Sequence, residues 1–251
     1  MDSLEGQTFL VTGASKGLGK SLSVELAQKG ARVLLLARHS TELEDTTRAV
    51  QHLSPTSLSV VCDLTDTNSI AAAVETILGE VKQIDGLVHN AGDIAPIKPL
   101  FEADTNDWMR SVMVNIVGVQ ALTSGLGPVL LGGHRVRVTT ISSGAALRPL
   151  PSWSAYCSAK AALDMWTRCL ATEGADLNIS AVSVAPGIVD TAMQATIRSS
   201  SKADFPLLEN FVGYHEDGQL ARPDDVAKQL LPLVTEHTMN ESGQRFDVRD
   251  L

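Results

Sequence analysis

Tyr156 and Lys160 stand four residues apart in SWSAYCSAKAALDMWT, so on a helix they share one face. A phenol ordinarily loses its proton near pH 10, too high for efficient exchange at neutral pH. A neighbouring ammonium favours the phenolate and lowers that value; reaching about 7 takes roughly 4 kcal/mol. Such a pair is a proton donor for a carbonyl oxygen that is taking up hydride. The same spacing also occurs as a plain surface pair worth a few tenths of a kcal/mol, so the surroundings must decide. Ser142 and Ser143 follow an apolar run at 135–141. A hydroxyl there would donate to the substrate oxygen as negative charge grows on it, and the residues alone leave both serines open. Asn115 falls inside a long helical pattern, an unfavourable interior position for asparagine, which singles it out.

These groups need elements to hold them. Short Val-, Leu- and Ile-rich runs at 7–12, 32–37, 58–62, 86–90, 135–141, 179–185 and 244–248 are read as strands. Several are apolar on nearly every residue, as expected where helices cover both faces of a parallel sheet. Helices are expected at 17–29, 40–52, 67–82, 104–131, 154–173 and 223–236. Strand and helix alternate from end to end, which predicts one α/β domain over 1–251: a doubly wound Rossmann fold with about seven parallel strands. The stretch 188–222 is irregular and is expected to form a lid over a ligand mouth.

The first strand runs into Gly13-Ala14-Ser15-Lys16-Gly17-Leu18-Gly19. Glycines there allow a tight turn, close approach of backbone N–H groups to a pyrophosphate, and tight packing of helix on sheet. The helix N-terminus adds orphan donors and a positive dipole end. The expected ligand is a nicotinamide dinucleotide, which supplies the hydride. The second strand ends at Ala37-Arg38, where an NAD site commonly carries a carboxylate for the ribose 2′-hydroxyl. Arg38, with Lys16 on the same side, would clamp a 2′-phosphate instead. NADPH/NADP+ is therefore the expected cofactor.

The formal charge of −9 is dispersed along the chain, a poor match for nucleic acid or anionic lipid. No apolar run reaches about 18 residues, so a membrane span is not expected, and the opening MDSLEGQTFLVTG does not read as a secretory leader. Cys157 and Cys169 would lie ~18 Å apart on one helix, too far to pair. With Cys62 they lack metal-ligand spacing, so no metal is expected. A reduced, cytoplasmic setting is the default.

The order Thr12-Gly13-x3-Gly17-x-Gly19, Asp63-Leu64, Asn90-Ala91-Gly92, Asn115, Ser142-Ser143, Tyr156-x3-Lys160, Pro186-Gly187 resembles the short-chain dehydrogenase/reductases across essentially the whole chain. Two segments, SWSAYCSAKAALDMWT and SVAPGIVDTAMQATIR, look like those of benzil reductases and sepiapterin reductase-like members. The resemblance implies reduction of one carbonyl of a vicinal diketone with NADPH. It selects Ser143, because the family spacing to tyrosine is usually thirteen residues. It gives Asn115 a water linking Lys160 to solvent, and has Lys160 also bond the nicotinamide ribose. Asp63 would meet the adenine amine with Leu64 on the ring, and Asn90 and Gly92 would line the adenosine ribose. Pro186, Gly187 and Ile188 would lie against the nicotinamide, with Thr191 at its carboxamide or the pyrophosphate. His89 departs from the asparagine of many members and receives no role.

Ala145, Leu147, Trp153, Val189, Met193 and the 194–212 stretch are expected to form an apolar substrate pocket. The 104–131 and 154–173 helices pair across a two-fold axis in relatives, so a homodimer or homotetramer is expected. The partner is a small-molecule carbonyl compound. A short-chain dehydrogenase for a sugar or steroid alcohol, and a silent NADPH-binding regulator, are the alternatives; the intact Ser143, Tyr156 and Lys160 favour an enzyme.

Overall fold

Every strand of the sheet is parallel, in the order β3-β2-β1-β4-β5-β6-β7. The computed structural model describes residues 3–251. The strands are β1 Thr8–Thr12, β2 Arg32–Ala37, β3 Leu58–Val61, β4 Gly86–His89, β5 Val136–Ile141, β6 Ile179–Ala185 and β7 Arg245–Asp247. Each lies within a stretch that the apolar pattern predicts. Strand order reverses between β1 and β4, and a crevice opens at such a switch point beyond the carboxyl ends of the strands.

Period-two alternation explains the two cores. Phe9 and Val11 of β1 point to one face, where α1 (Gly17–Gln28), α2 (Thr41–Leu53) and α10 (Pro223–Glu236) cover them. Leu10 points to the other, under α3 (Thr67–Glu80) and α5 (Gly118–Gly125). On that second face α7 (Ser154–Gly174) packs against β6.

Two expected elements differ. The helix expected over 104–131 is α4 (Thr105–Val112), a π-helical turn over Met113–Val117, α5, and a short α6 (Gly127–Leu130). Asp104 caps its start by accepting from the N–H groups of Asn106 and Asp107. Pro128, which has no N–H to give to the preceding turn, accounts for the break after α5. The irregular 188–222 stretch contains two short helices, α8 (Ala192–Arg198) and α9 (Leu208–Glu216). Its root is stapled: Val189 bridges Ala221, the Asp190 N–H donates to the Ala221 carbonyl at 2.9 Å, and the Ala221 N–H donates to that of Ile188 at 2.9 Å. Phe205 and Ile197 from this excursion pack onto Ile94, Ala145, Trp153 and Tyr156, a third apolar cluster at the carboxyl edge of the sheet.

Close approach within the sheet makes a sharp demand at Gly86. A Cβ there would lie 2.1 Å from the ring of Phe9, which is fully buried. Gly86→Ala should therefore lower unfolding free energy by about 1–3 kcal/mol through overpacking, read as a lower urea midpoint.

Candidate active site

The nucleotide end of the crevice is built by tying β1 to β4. The Thr12 hydroxyl oxygen accepts from the N–H groups of Asn90 and Ala91, both at 3.0 Å, and the Asn90 amide donates to the Thr12 carbonyl at 2.9 Å. Gly13 adopts a positive φ of +66°, and a Cβ there would sit 2.9 Å from Ala91 Cα. At Gly19 a Cβ would lie 2.3 Å from the Gly13 carbonyl oxygen and 2.4 Å from the Asn90 amide nitrogen. Gly19 thus packs helix against loop from behind, while Gly13, Ser15, Lys16, Gly17 and Leu18 line the crevice itself. No acidic residue occupies the first turn of α1 and no side chain caps it, so its N–H groups and dipole face the crevice.

Lys16 and Arg38 line the next section, both exposed. Glu42 faces the same region; its carboxyl is held low by its own backbone N–H and by Ser40. The sequence reading missed a third cation. Arg110 of α4 lines the crevice and donates to the Thr65 hydroxyl at 3.2 Å. Thr65 in turn holds Asp63, through its N–H at 2.9 Å and its hydroxyl at 2.7 Å. Burial of Asp63 opposes ionisation, yet Thr65, Arg110 and Arg38 together keep its carboxyl below the usual range. Arg110 lies on an exposed, amphipathic helical turn, where a binding cation and a solvated one read alike. Leu64, Asn90 and Gly92 continue the wall, and Pro186, Gly187, Ile188 and Thr191 form the opposite one.

At the centre stand Ser143, Tyr156 and Lys160. Tyr156 and Lys160 are buried at 6% and 3% exposure. The Lys160 ammonium donates to the Ile141 carbonyl at 2.9 Å and lies 5.7 Å from the Tyr156 ring centroid. Ser143 follows β5 and accepts from the Ala145 N–H at 3.1 Å. Its side chain faces the phenol, whereas Ser142 is buried with its hydroxyl turned away from any hydrogen-bonding group of the described residues. The expected lowering of the phenol is not what this geometry produces. Burial pushes Tyr156 up to about 12, with Ser143 opposing. Burial also pulls Lys160 down to about 8, with Asp164 opposing. The apolar surroundings penalise charge on either group. At neutral pH the phenol holds its proton, the state a donor to a nascent alkoxide requires.

Asn115 does not line the crevice. It sits fully buried in the π-helical turn, and such turns frequently mark functional sites. Its amide donates to the carbonyls of Asp93 and Ser111, both at 2.8 Å, and its oxygen accepts from the Asp93 N–H at 3.3 Å. A Cβ at Gly92 would lie 3.0 Å from that oxygen and 3.4 Å from the Lys160 nitrogen. Gly92 thus leaves open the space these two groups share. His89 lies behind the wall, where its Nε2 bonds the Thr123 hydroxyl at 2.8 Å. Thr123 donates onward to the Val119 carbonyl, so His89 is the donor, and burial lowers it to about 3. It is a neutral core residue.

The far end is apolar and aromatic. Trp153 stacks on Phe205 with centroids 5.2 Å apart and planes 9° from parallel. It meets Tyr156 edge-on at 5.8 Å and Phe211 at 5.3 Å. Ala145, Val189 and Met193 line the crevice as expected. Leu147 is corrected: it is 70% exposed and lies outside, because the 3₁₀ turn Gly144–Ala146 directs it to solvent. Leu150 and Tyr214 join the lining without having been expected. The whole crevice measures about 1810 Å³, beyond the ~300–1,000 Å³ of a single ligand site. It suits a dinucleotide with a second molecule at its end. The glycine cradle, uncapped helix and cations fit the phosphates of such a cofactor.

Residues 7–202 match the short chain dehydrogenase family, and the chain belongs to it. It is an oxidoreductase of CH–OH and C=O groups working with a nicotinamide coenzyme. A benzil reductase ((S)-benzoin forming) of Bacillus subtilis (strain 168) is 36% identical, over 97% of this chain and 99% of that one. A short chain dehydrogenases/reductase of Saccharomyces cerevisiae superposes with TM-score 0.85 at 30% identity, over 98% of this chain and 97% of that one. A short chain dehydrogenase from Escherichia coli CFT073 complexed with NADPH gives TM-score 0.85 at 25% identity, over 99% and 98%.

The cradle is testable apart from the chemistry. Gly19→Ala forces apart the Gly13 carbonyl and the Asn90 amide, so coenzyme affinity measured by fluorescence titration should fall by about tenfold or more (~1.4 kcal/mol per tenfold).

Proposed function

We propose that this chain is an NADPH-dependent carbonyl reductase that reduces one carbonyl of an aromatic 1,2-diketone, the whole chain acting as one catalytic domain. One observation carries the reading: the Tyr156 phenol stands where the nucleotide crevice meets an aromatic wall, with Trp153 edge-on to it. The nicotinamide, when bound, supplies the hydride. Tyr156 gives its proton to the carbonyl oxygen, and the Ser143 hydroxyl donates to the same oxygen as charge develops there. Lys160 offsets the negative charge left on the phenolate. The space shared by Asn115 and Lys160 suits a solvent link that returns the proton. Trp153, Phe211 and Met193 would hold a flat apolar substituent beside the reacting carbon.

Three cations along the adenosine end, Lys16, Arg38 and Arg110, support NADPH over NADH, in keeping with the Escherichia coli relative's complex. The Bacillus subtilis relative's name supports the diketone. Exposed Met109, Val117 and Met165 on the α4–α5 and α7 surfaces support pairing of copies through these helices. Among the described residues no helix is long and apolar enough to cross a membrane.

NADPH oxidation followed by absorbance with benzil, other ketones and sugars tests the reading. Benzil-dependent oxidation should be lost almost entirely in Tyr156→Phe; undiminished turnover in that variant refutes the assignment. Arg38→Asp should cut NADPH preference over NADH by about 10–100-fold, the loss of a charge-assisted contact of ~1.5–3 kcal/mol.

The pH profile follows from the two buried groups. Lys160 is charged below about 8 and neutral above it, while Tyr156 keeps its proton to about 12. kcat for reduction should be flat through neutrality and fall along an alkaline limb that begins near pH 8, well before the phenol ionises.

A further inference from the structure

α7 carries a third polar residue on the face that holds Tyr156 and Lys160. Asp164 lies one turn beyond Lys160 and is buried with it. Its carboxylate accepts from Arg245 Nε at 3.0 Å. Arg245 comes from β7 at the edge of the sheet, and its Nη2 donates to the main-chain carbonyl of Ser143 at 3.0 Å. The Lys160 ammonium meanwhile holds the Ile141 carbonyl, two residues earlier on the same chain segment. Two cations from two elements therefore grip alternate carbonyls where β5 ends, and the Asp164 carboxylate is paired with one of them.

We propose that the Arg245–Asp164 pair is a positioning unit for the reaction: the guanidinium fixes the Ser143 main chain, and so its hydroxyl, while the carboxylate offers the Lys160 ammonium a buried counter-charge one helical turn away. This rests on the carbonyl-reductase reading above. The planar guanidinium suits the task because Nε and Nη2 reach two acceptors at once, which a lysine ammonium on a flexible stem does not reproduce. Position matters because the Ser143 hydroxyl has to meet the substrate oxygen, and a misplacement of about 1 Å can cost ~10²-fold in rate. The charged groups facing the pair are Lys160 from α7 and Asp247 from β7, whose carboxyl the Arg245 charge helps hold low after the larger effect of Arg249. The Tyr156 phenol shares the α7 face. The second Asp164 oxygen is buried with no hydrogen-bond donor among the described residues, so neutralising Arg245 would remove the one side chain that donates to that carboxylate among the described residues.

The test combines kinetics with a readout that needs no turnover. Benzil reduction and NADPH affinity are measured for wild type, Arg245→Met, Arg245→Lys and Asp164→Asn. Lys160 is titrated by NMR in ¹³C-lysine-labelled protein without coenzyme, its signal assigned by its disappearance in Lys160→Met. kcat is expected to fall about 10²-fold in Arg245→Met and Asp164→Asn, with NADPH affinity within about twofold of wild type and Arg245→Lys in between. The Lys160 midpoint, and the alkaline limb of kcat, should move to lower pH in Asp164→Asn. Unchanged kcat, an unmoved Lys160 midpoint, or a kcat loss matched by an equal loss of NADPH affinity each overturns the proposal. Should Arg245→Met not fold, Arg245→Lys and Asp164→Asn decide it. If wild type reduces no diketone, the substrate reading fails by itself and the Lys160 titration alone decides this one.

Discussion

A lysine that spends its hydrogen bond on a strand carbonyl fixes the geometry of this protein's centre. Lys160 reaches from α7 to the Ile141 oxygen at the end of β5. That contact ties α7 to the strand end beside Tyr156, which stands one turn earlier on the same helix. Because the same ammonium is buried, its charge is expensive, and the sheet carbonyl and the Asp164 carboxylate are the groups that offset the loss of water. The centre is thus held by polar contacts inside an apolar shell, where they are stronger than in water but also intolerant of an unpaired partner.

Burial has a second effect on the chemistry. It raises the phenol instead of lowering it, so a proton is present to give throughout the neutral range. The inference that an adjacent lysine must acidify a tyrosine counted the charge and left out the solvent. Helix spacing reports which groups are neighbours; it carries no measure of how dry their neighbourhood is.

Where sequence signals were local, they placed the elements well. The apolar runs identified all seven strands, and Gly13, Gly17 and Gly19 marked the turn that the backbone requires. Tyr156, Lys160 and Ser143 come together because one helix and one strand end carry them. Signals that depend on tertiary contact were illegible. The π-helical turn at Asn115 reads as plain helix in the sequence, and the side-chain bonds of Asn115 to Asp93 and Ser111 form only in the fold. The helices α8 and α9 were hidden because their apolar side chains face the crevice and a neighbouring loop, not the main core. Arg110 is recognisable only once the fold sets it beside Thr65 and Asp63, and Arg245 only once β7 docks beside β6.

The bridge between Val189 and Ala221 separates two kinds of inheritance in one chain. Everything between those residues hangs from a closed base, so its length can change at little cost in loop-closure entropy and without disturbing β6, while Ile197 and Phe205 tie its inner part to Trp153 and Tyr156. Recruitment of a different substrate therefore asks for new residues on the outer part of that segment, not for a new sheet. A scaffold divided in this way lends itself to diversification of the outer segment, by natural drift or by exchange between relatives, provided the apolar side chains that rest on Trp153 and Tyr156 are kept or matched.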